Sequence, residues 1–464
     1  MDGTTSDADS VEVIAAPGRL PVFPERNAVF VANLLGLFFG NEEQTRMLAE
    51  EVGELDSYGG RLIPVVDLLF PGAGSNLLAL ERVPDPALCR YFEETAGLSL
   101  PDRFILPHAE YLEIGRALEA GKPVGHEAFK QLEEHPSAFM DGYVTDETLS
   151  SLARATGKRT ISSVEGSHGG NNKRALHQHL EAVGLPVVTT ELAESPAHVA
   201  ECLGRLAAAG FTSGVVKAAI GASGIGLVKV ASLEDVDSIP EIPEHFFREG
   251  PCLVQGWLKP GEMGVLEVRS PSVQMFLDEK SVTLYDLTEQ ILSRFSIHEG
   301  NEAPPPYLFD RPELRRELLR QAGEAAKWLH RRGYRGTGSV DFLAVDYEDG
   351  RSVAYVCEIN ARVTGATYPA VLARHLLPDG AWLLRNFRFD NPLPGDALLK
   401  ALRNSGDLFV PGEAEVGVLP VNFNFGPDGL VHKGQFLCLA HSTAGSRVVL
   451  DLAKADLPCA SDRD

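Results

Sequence analysis

The sequence predicts an α/β protein built on more than one core, and three observations carry that prediction. Strand-like and helix-like segments alternate from Ala28 to Ser163, the signature of a parallel α/β layer. Further on, two runs rich in β-branched and apolar residues, Ser339 to Val345 and Ser352 to Ile359, flank Asp349-Gly350, a strong signal for an antiparallel hairpin. A chain of 464 residues is also too long for one compact core, so about two to four domains or subdomains are expected.

The first residues, MDGTTSDADSVEVIAAPG, are acidic and small, lack the basic and apolar regions of a secretory signal, and read as a disordered lead-in over 1–20. Ala28 to Ala32 predicts a strand, Glu42 to Glu54 a helix and Arg61 to Val66 a strand. Pro86 to Glu94 predicts a helix in which Asp85 is the N-cap before a proline at the first helical position. Phe139 to Val144 reads as a strand, Asp146 to Ala155 as a helix capped by Thr145 or Asp146, and Thr160 to Ser163 as a strand. Val164 to Asn172, VEGSHGGNN, reads as a wet loop leading into a helix from Lys173 to Val183, which Gly184-Leu185-Pro186 stops. A helix is expected over Ala197 to Ala209 and strands over Pro251 to Leu258, Gly264 to Val268 and Val273 to Phe276. Ala303 to Pro306 is a proline-rich loop, and Leu314 to Arg331 is an amphipathic helix that runs into the hairpin. Beyond Asp379 follow a helix near Ala397 to Arg403 and a hairpin, Glu415 to Asn424 with Leu430 to Ala440.

Net charge is −23, which argues against nucleic acids and anionic membranes as partners. No run approaches the roughly 18 apolar residues of a membrane helix. The six cysteines show no C-x-x-C spacing and read as reduced core thiols of a cytoplasmic protein.

The hairpin carries the chemistry. If Asp349 and Gly350 are the two central turn residues, Glu348 pairs with Arg351 and Asp341 falls opposite Glu358, with Asn360 on the same face. Opposed Cβ atoms lie roughly 4.5–5.5 Å apart, and like charges so placed destabilise the ladder. Either the acids form a solvated face or they hold a cation, and an all-oxygen donor set suits magnesium.

The second informative stretch is GVVKAAIGASGIGLVKVAS, Gly214 to Ser232. Gly221, Ser223, Gly224, Ile225 and Gly226 have the composition of a phosphate cradle, or of a purely structural glycine turn. A P-loop needs a lysine after the last glycine and then a helix, and a dinucleotide fingerprint needs the helix too. Here Lys217 precedes the glycines and a strand follows. A glycine-rich hairpin with a lysine on its first strand fits a lid over a triphosphate.

In this order the residues resemble the ATP-grasp family, best over Asn171 to Leu372. The resemblance implies an ATP-grasp fold behind an N-terminal parallel α/β domain: 21–165 for that domain, 166–257 for the lid subdomain with its linking helix, 258–380 for the catalytic subdomain and 381–464 for an extension packed on it. It implies ATP and Mg2+ as cofactors, with Lys173 and Lys217 on the phosphates, Gln255, Trp257 and Leu258 at adenine and Glu262 at ribose. Asp341, Glu358 and Asn360 become the magnesium ligands, and Arg362 steadies phosphate and acyl phosphate. Gln255 stands where a hinge glutamate is frequent, and Ser339 where some members carry an arginine; Arg294 or Arg335 is then the replacement cation. GYRGTGSVDF is similar to biotin carboxylase, but the Val363 to Tyr368 segment is not. SSVEGSHGGNNKR, EINARVTGATYP and VLPVNFNFGPDGL look more like peptide ligases of the pheganomycin type. That likeness implies a carboxylate donor, a nonproteinogenic or guanidino amino acid, joined through an acyl phosphate to the N-terminal amine of a peptide. The alternatives are a dipeptide-forming amino-acid ligase and a noncatalytic nucleotide-binding regulator. Glu165, His168 and Arg294 are candidate donor contacts, and a homodimer is allowed for. His177 and His179 face different sides of their helix and read as surface residues rather than metal ligands.

Overall fold

A computed structural model describes residues 11–53, 57–234, 240–292 and 298–459. It contains three sheets. The first is parallel and five-stranded, in the order Asp102–Ile105, Leu77–Leu80, Ala28–Val31, Phe139–Gly142 and Arg159–Thr160. Its central strands are apolar on both faces, as a parallel sheet covered on both sides requires. Val29, Val31 and Met140 pack with Ile114, Leu132 and Leu149 of the crossover helices on one side. Phe30, Leu78 and Leu80 join a second core with Leu384, Leu398, Leu419 and Phe436 on the other. The C-terminal segment therefore covers the N-terminal sheet.

The second sheet is ten-stranded and largely antiparallel. Its main path runs Val265–Arg269, Gly336–Tyr347, Pro271–Leu277, Ser281–Leu292, His298–Ala303, Ala381–Leu393, Val431–Ala440 and Gly417–Phe425. Ser352–Asn360 pairs with Gly336–Tyr347 off this path. The helix Pro312–Arg331 lays Leu314, Leu318, Ala325 and Leu329 against its face. The third sheet has four strands, Thr190–Ala193, Cys252–Gly256, Gly214–Ala222 and Ile225–Val230, with the helix Pro196–Ala208 packed on them.

Three sequence expectations are corrected. Residues 1–10 of the lead-in lie outside the described residues, and Glu12–Ala15 is a strand parallel to Ser281–Leu284; the alternation of VEVIA is the signal for it. Arg61 to Val66 is not a strand but the end of the 3-10 turn Gly60–Leu62 and the start of a short helix, Val66–Leu69. VEGSHGG is a helix, Val164–Gly170, whose N-cap Ser163 accepts a hydrogen bond from the Gly166 N–H at 2.9 Å. Its glycines permit close packing: a Cβ on Gly166 would sit 2.4 Å from Tyr334 N, and one on Gly170 2.3 Å from Leu329 Cδ1.

Among the described residues no helix is long and apolar enough to cross a membrane. Cys89, Cys202, Cys252 and Cys438 are buried thiols.

One surface of the hairpin Gly336–Tyr347 with Ser352–Asn360 is fastened by charge. Asp346 receives Arg269 Nη1 at 2.6 Å, Arg311 Nη1 at 2.7 Å and Ser352 Oγ at 2.6 Å. Burial opposes its ionisation, yet these partners outweigh burial and hold the carboxyl well below the usual range. A carboxyl with a lowered folded pKa adds stability that is complete above about pH 4 and is lost as the pH falls. Asp346→Asn should therefore lower the urea midpoint at pH 7 by the equivalent of about 1–3 kcal/mol. It should also flatten the loss of stability below about pH 4, and a variant with the wild-type acid slope would exclude this account.

Candidate active site

The hairpin reaches the expected pairing by an unexpected route. Tyr347 N–H donates to Arg351 O at 2.9 Å and Gly350 N–H to Tyr347 O at 3.0 Å. The turn thus holds Glu348, Asp349 and Gly350, with Gly350 at φ 84°, rather than two residues. Glu348 does not pair with Arg351, and near the turn Asp346 faces Ser352 and Phe342 faces Val356. A bulge at Cys357 returns the lost residue, so Asp341 stands opposite Glu358 and Ser339 opposite Asn360.

Asp341 Oδ1 accepts from Ser272 Oγ at 2.6 Å and Ser339 Oγ at 3.0 Å, while Oδ2 accepts from Asn360 Nδ2 at 2.9 Å. Glu358 Oε2 lies 2.8 Å from Lys173 Nζ, which also donates to Gly221 O at 2.9 Å. Burial and then the charge of Glu358 push Asp341 up to about 6. Burial acts on Glu358 as well, but Lys173 and Arg362 outweigh it and hold that carboxyl below its usual range. Arg362 donates to Asn171 Oδ1, and Asn171 in turn donates to Ala361 O at 3.1 Å. Among the described residues no group of three or more His, Cys, Asp and Glu gathers to hold a metal. A cation here would have two carboxylates and one amide oxygen, a hard donor set that fits a magnesium-like ion.

The glycine hairpin lies across from these acids. Ser223 (φ 52°) and Gly224 (φ 81°) alone form its two-residue turn, and Gly221, Ile225 and Gly226 belong to the approach of the strands. Its tip is seated on the N-terminal layer: Ile220 and Ile225 pack with Leu35, Leu37, Phe38 and Leu48, and Gln44 Nε2 donates to Ile220 O at 3.2 Å. Lys217 Nζ donates to Gln255 Oε1 at 2.8 Å, and Gln255 Nε2 to Thr190 Oγ1 at 2.8 Å. Lys173, Lys217 and Gln255 line a narrow cavity between the four-stranded sheet and the hairpin, with Leu176, Val356 and Cys357 as apolar walls. Trp257 stacks under Lys229 (4.6 Å to the ring centre), and Leu258 packs on the lid core. Glu262 is held below its usual range by Lys259, 2.7 Å away, and by the Thr212 hydroxyl.

Some candidates are not gathered here. His168 pairs with Glu249 at 3.1 Å and meets the ring of Phe39 edge-on, and neither it nor Glu165 lines the cleft described below. Arg335 bonds Glu279 at 3.3 Å and the carbonyls of His330 and Tyr334. Arg294 lies outside the described residues. His177 is buried, not on the surface: it borders the narrow cavity and pairs with Glu181 at 3.4 Å. His179 stacks on Trp328.

A cleft of about 1230 Å3 opens from Asp341, Glu358, Asn360 and Arg362. It passes the Val363 to Ala366 segment and ends on the strands Ala381–Leu393 and Val431–Ala440. Sequence reasoning missed Ser272, Gln274 and the C-terminal strands as lining. No local motif marks them, because pairing across some 45 positions brings the two strands together.

No protein-family model matches the chain. It is similar to the butirosin acyl-carrier protein L-glutamate ligase of Niallia circulans, 27% identical over 199 residues, 43% of this chain and 44% of that one. It is also similar to urea amidolyase of Saccharomyces cerevisiae, 28% identical over 197 residues, 41% of this chain and 10% of that protein. The chain thus spans less than half the length of these curated relatives. Among solved structures, the biotin carboxylase complex with β,γ-ATP from Campylobacter jejuni superposes with a TM-score of 0.54 at 12% identity, covering 98% of this chain and 93% of that one. The biotin carboxylase domain of Hydrogenobacter thermophilus 2-oxoglutarate carboxylase, with MgADP, ADP and bicarbonate, gives 0.56 at 15% identity, covering 94% and 91%. An ADP complex of N5-carboxyaminoimidazole ribonucleotide synthetase gives 0.51 at 15% identity, covering 94% and 97%. At these identities the likeness is one of fold.

Proposed function

We propose, from the premise that this chain has the ATP-grasp fold of those structures, that it is an ATP-dependent carboxylate–amine ligase. The observation that carries the reading is the pair Asp341 and Glu358, opposed across one ladder and tied through Lys173 to the glycine hairpin. Lys173 and Lys217 would neutralise the phosphates of ATP in the narrow cavity. Adenine would lie toward Gln255, Trp257 and Leu258; the Trp257 N–H already donates to Ser213 O, so recognition there uses other backbone groups. Glu262 is proposed for the ribose, once Lys259 or Thr212 yields. Asp341, Glu358 and Asn360 would hold magnesium, which when bound offsets triphosphate charge.

In the reaction proposed, a donor carboxylate oxygen bonds to the γ-phosphorus as the bond to ADP breaks, giving an acyl phosphate. A neutral amine then bonds to the acyl carbon, phosphate leaves and the amine loses a proton. Arg362 faces both acids and is placed to steady the charge that develops on the transferring group. Burial lowers the proton affinity of its guanidinium, and the two carboxylates oppose that effect. The acceptor we propose is a peptide, since the cleft exceeds the roughly 300–1,000 Å3 typical of small-molecule pockets. Glu51 lines the cleft and is the carboxylate proposed to meet a cationic donor such as a guanidino acid. The curated ligase of L-glutamate supports carboxylate chemistry of this kind.

The test incubates the protein with ATP, magnesium and pools of amino acids and peptides, with and without hydroxylamine. Donor-dependent ADP, a hydroxamate when hydroxylamine is present and a ligated peptide are expected. Ligation with AMP as the nucleotide product would reject the acyl phosphate. If only free amino acids are joined, the enzyme is a dipeptide-forming ligase, and ATP binding with no turnover would leave a nucleotide-binding regulator.

A further inference from the structure

The far end of the cleft repeats, with the sign reversed, the arrangement at Asp341 and Glu358. Arg388 on the strand Ala381–Leu393 stands directly opposite Lys433 on Val431–Ala440, and both line the cleft. Two residues back along the same ladder Asn386 faces Gln435, and these side chains are bonded, Gln435 Nε2 to Asn386 Oδ1 at 2.9 Å. Alternation puts Asn386 and Arg388 on one face, so the two pairs form a continuous floor. Like charges directly opposed across a ladder destabilise it, and an anion between them reverses the sign. Nearer the centre Arg61, Arg385 and His298 line the same space. In a protein of net charge −23 this basic floor does not arise from bulk composition.

Among the described residues two polar atoms of cleft-lining side chains have no partner. Gln435 is 5% exposed; its Nε2 serves Tyr368 OH and Asn386 Oδ1, and its Oε1 is unpaired. Arg385 donates from Nη2 to Glu299 at 3.2 Å while its Nε is unpaired. An unpaired acceptor suits an amide N–H and an unpaired donor suits a carboxylate or carbonyl oxygen, and a peptide brings both. Asp390 also lies on this floor and Glu299 beside it, so the anion has to be held by directed pairing rather than by net field.

We propose that the floor formed by Arg388, Lys433 and Gln435 is a carboxylate subsite. It anchors the acceptor at the end remote from its reacting amine, and the assignment rests on the ligase reading above. Anchoring there sets the length of acceptor whose amine reaches Arg362, so the subsite works as a ruler as well as a clamp.

The test uses a library of short peptides with neutral side chains, as free acids and as C-terminal amides, together with amides carrying one Asp or Glu. Each set is incubated with wild-type protein and with Arg388→Gln/Lys433→Gln in the presence of magnesium and a nonhydrolysable ATP analogue, and the retained peptides are read by mass spectrometry. Both substituted residues line solvent, and circular dichroism checks that the variant folds. Wild type should retain free acids at least ~10-fold over neutral amides, and the double variant should bring the two close to parity. Retention of the acidic amides instead would assign the subsite to a side-chain carboxylate. Equal retention of all forms by wild type, or a preference that survives the double variant, overturns the proposal. The ligase reading is judged separately, by ADP and ligated product from any peptide form.

Discussion

Asp341→Asn should lower ATP-dependent turnover by at least about 10²-fold and, at the same time, raise the resistance of the free protein to urea. The two signs follow from one geometry. With nothing bound, Asp341 faces Glu358 across the ladder, and burial together with that charge pushes its carboxyl up to about 6. Ionised at pH 7, it therefore costs stability, by roughly 1–2 kcal/mol after allowance for relaxation. Asparagine removes the charge and keeps most hydrogen bonds of the site: Asn360 can turn its amide to offer oxygen, giving up only its bond to Ser339 Oγ, and the hydroxyls of Ser272 and Ser339 still find the carbonyl oxygen of the introduced amide. Glu358→Gln gives the contrast. It also removes a charge from the site, but it leaves Lys173 without its 2.8 Å partner and should lower the urea midpoint. Turnover read as ADP release, beside urea titrations of both variants at pH 7, checks the pattern. Unimpaired turnover in Asp341→Asn would defeat the metal assignment, and a stability loss there equal to that of Glu358→Gln would defeat the electrostatic account.

The acid pair was legible in the sequence partly through two errors that cancel. Asp349-Gly350 announced a hairpin, but the turn takes three residues and the bulge at Cys357 takes one back. Bulges carry little local signal, so only the end of the ladder matters for the site, and there the register agrees. Glycine misled at 164–170, where three glycines close together read as a loop. Their missing Cβ atoms serve instead to bring a helix against Tyr334, Leu329 and Ala361. The capping serine at 163 was the signal that could have found that helix. Lys217, the glycine turn after it and Lys173 are readable because each sits within a few residues of a glycine or a cap. Arg388 and Lys433 were not, since neither has a neighbour in sequence that hints at the other and only the fold pairs them. Placing His168 at the site assumes a loop; as part of a helix it pairs with Glu249 instead, and Arg294 lies outside the described residues.

The largest stability effect expected in the molecule lies behind the site. Asp286→Asn should cost about 3–5 kcal/mol, because it strands a buried guanidinium. Asp286 is 3% exposed and sits in the strand Ser281–Leu292; Arg374, 5% exposed, is in the helix Thr367–Leu376 that follows the Arg362 segment. Arg374 meets the carboxylate through two nitrogens, Nε at 3.0 Å and Nη2 at 2.9 Å, and Nη1 donates to Pro378 O at 3.0 Å and Gly380 O at 2.8 Å. Trp382 Nε1 adds a third donor to Asp286 at 3.0 Å. The network is satisfied on both sides, which offsets the cost of burying two charges only while both remain. Asparagine keeps the shape but loses the charge and turns one acceptor into a donor facing donors. Replacing both partners with apolar residues, Asp286→Leu with Arg374→Met, removes the desolvation cost and should recover most of the loss. A double-mutant cycle in urea measures this, with a coupling of several kcal/mol expected. Additive losses would mean that the pair is held by its surroundings rather than by its charges. Because the helix bearing Arg374 follows directly from the segment bearing Arg362, Asp286→Asn should lower turnover more than its effect on the folded fraction explains, through misplacement of Arg362.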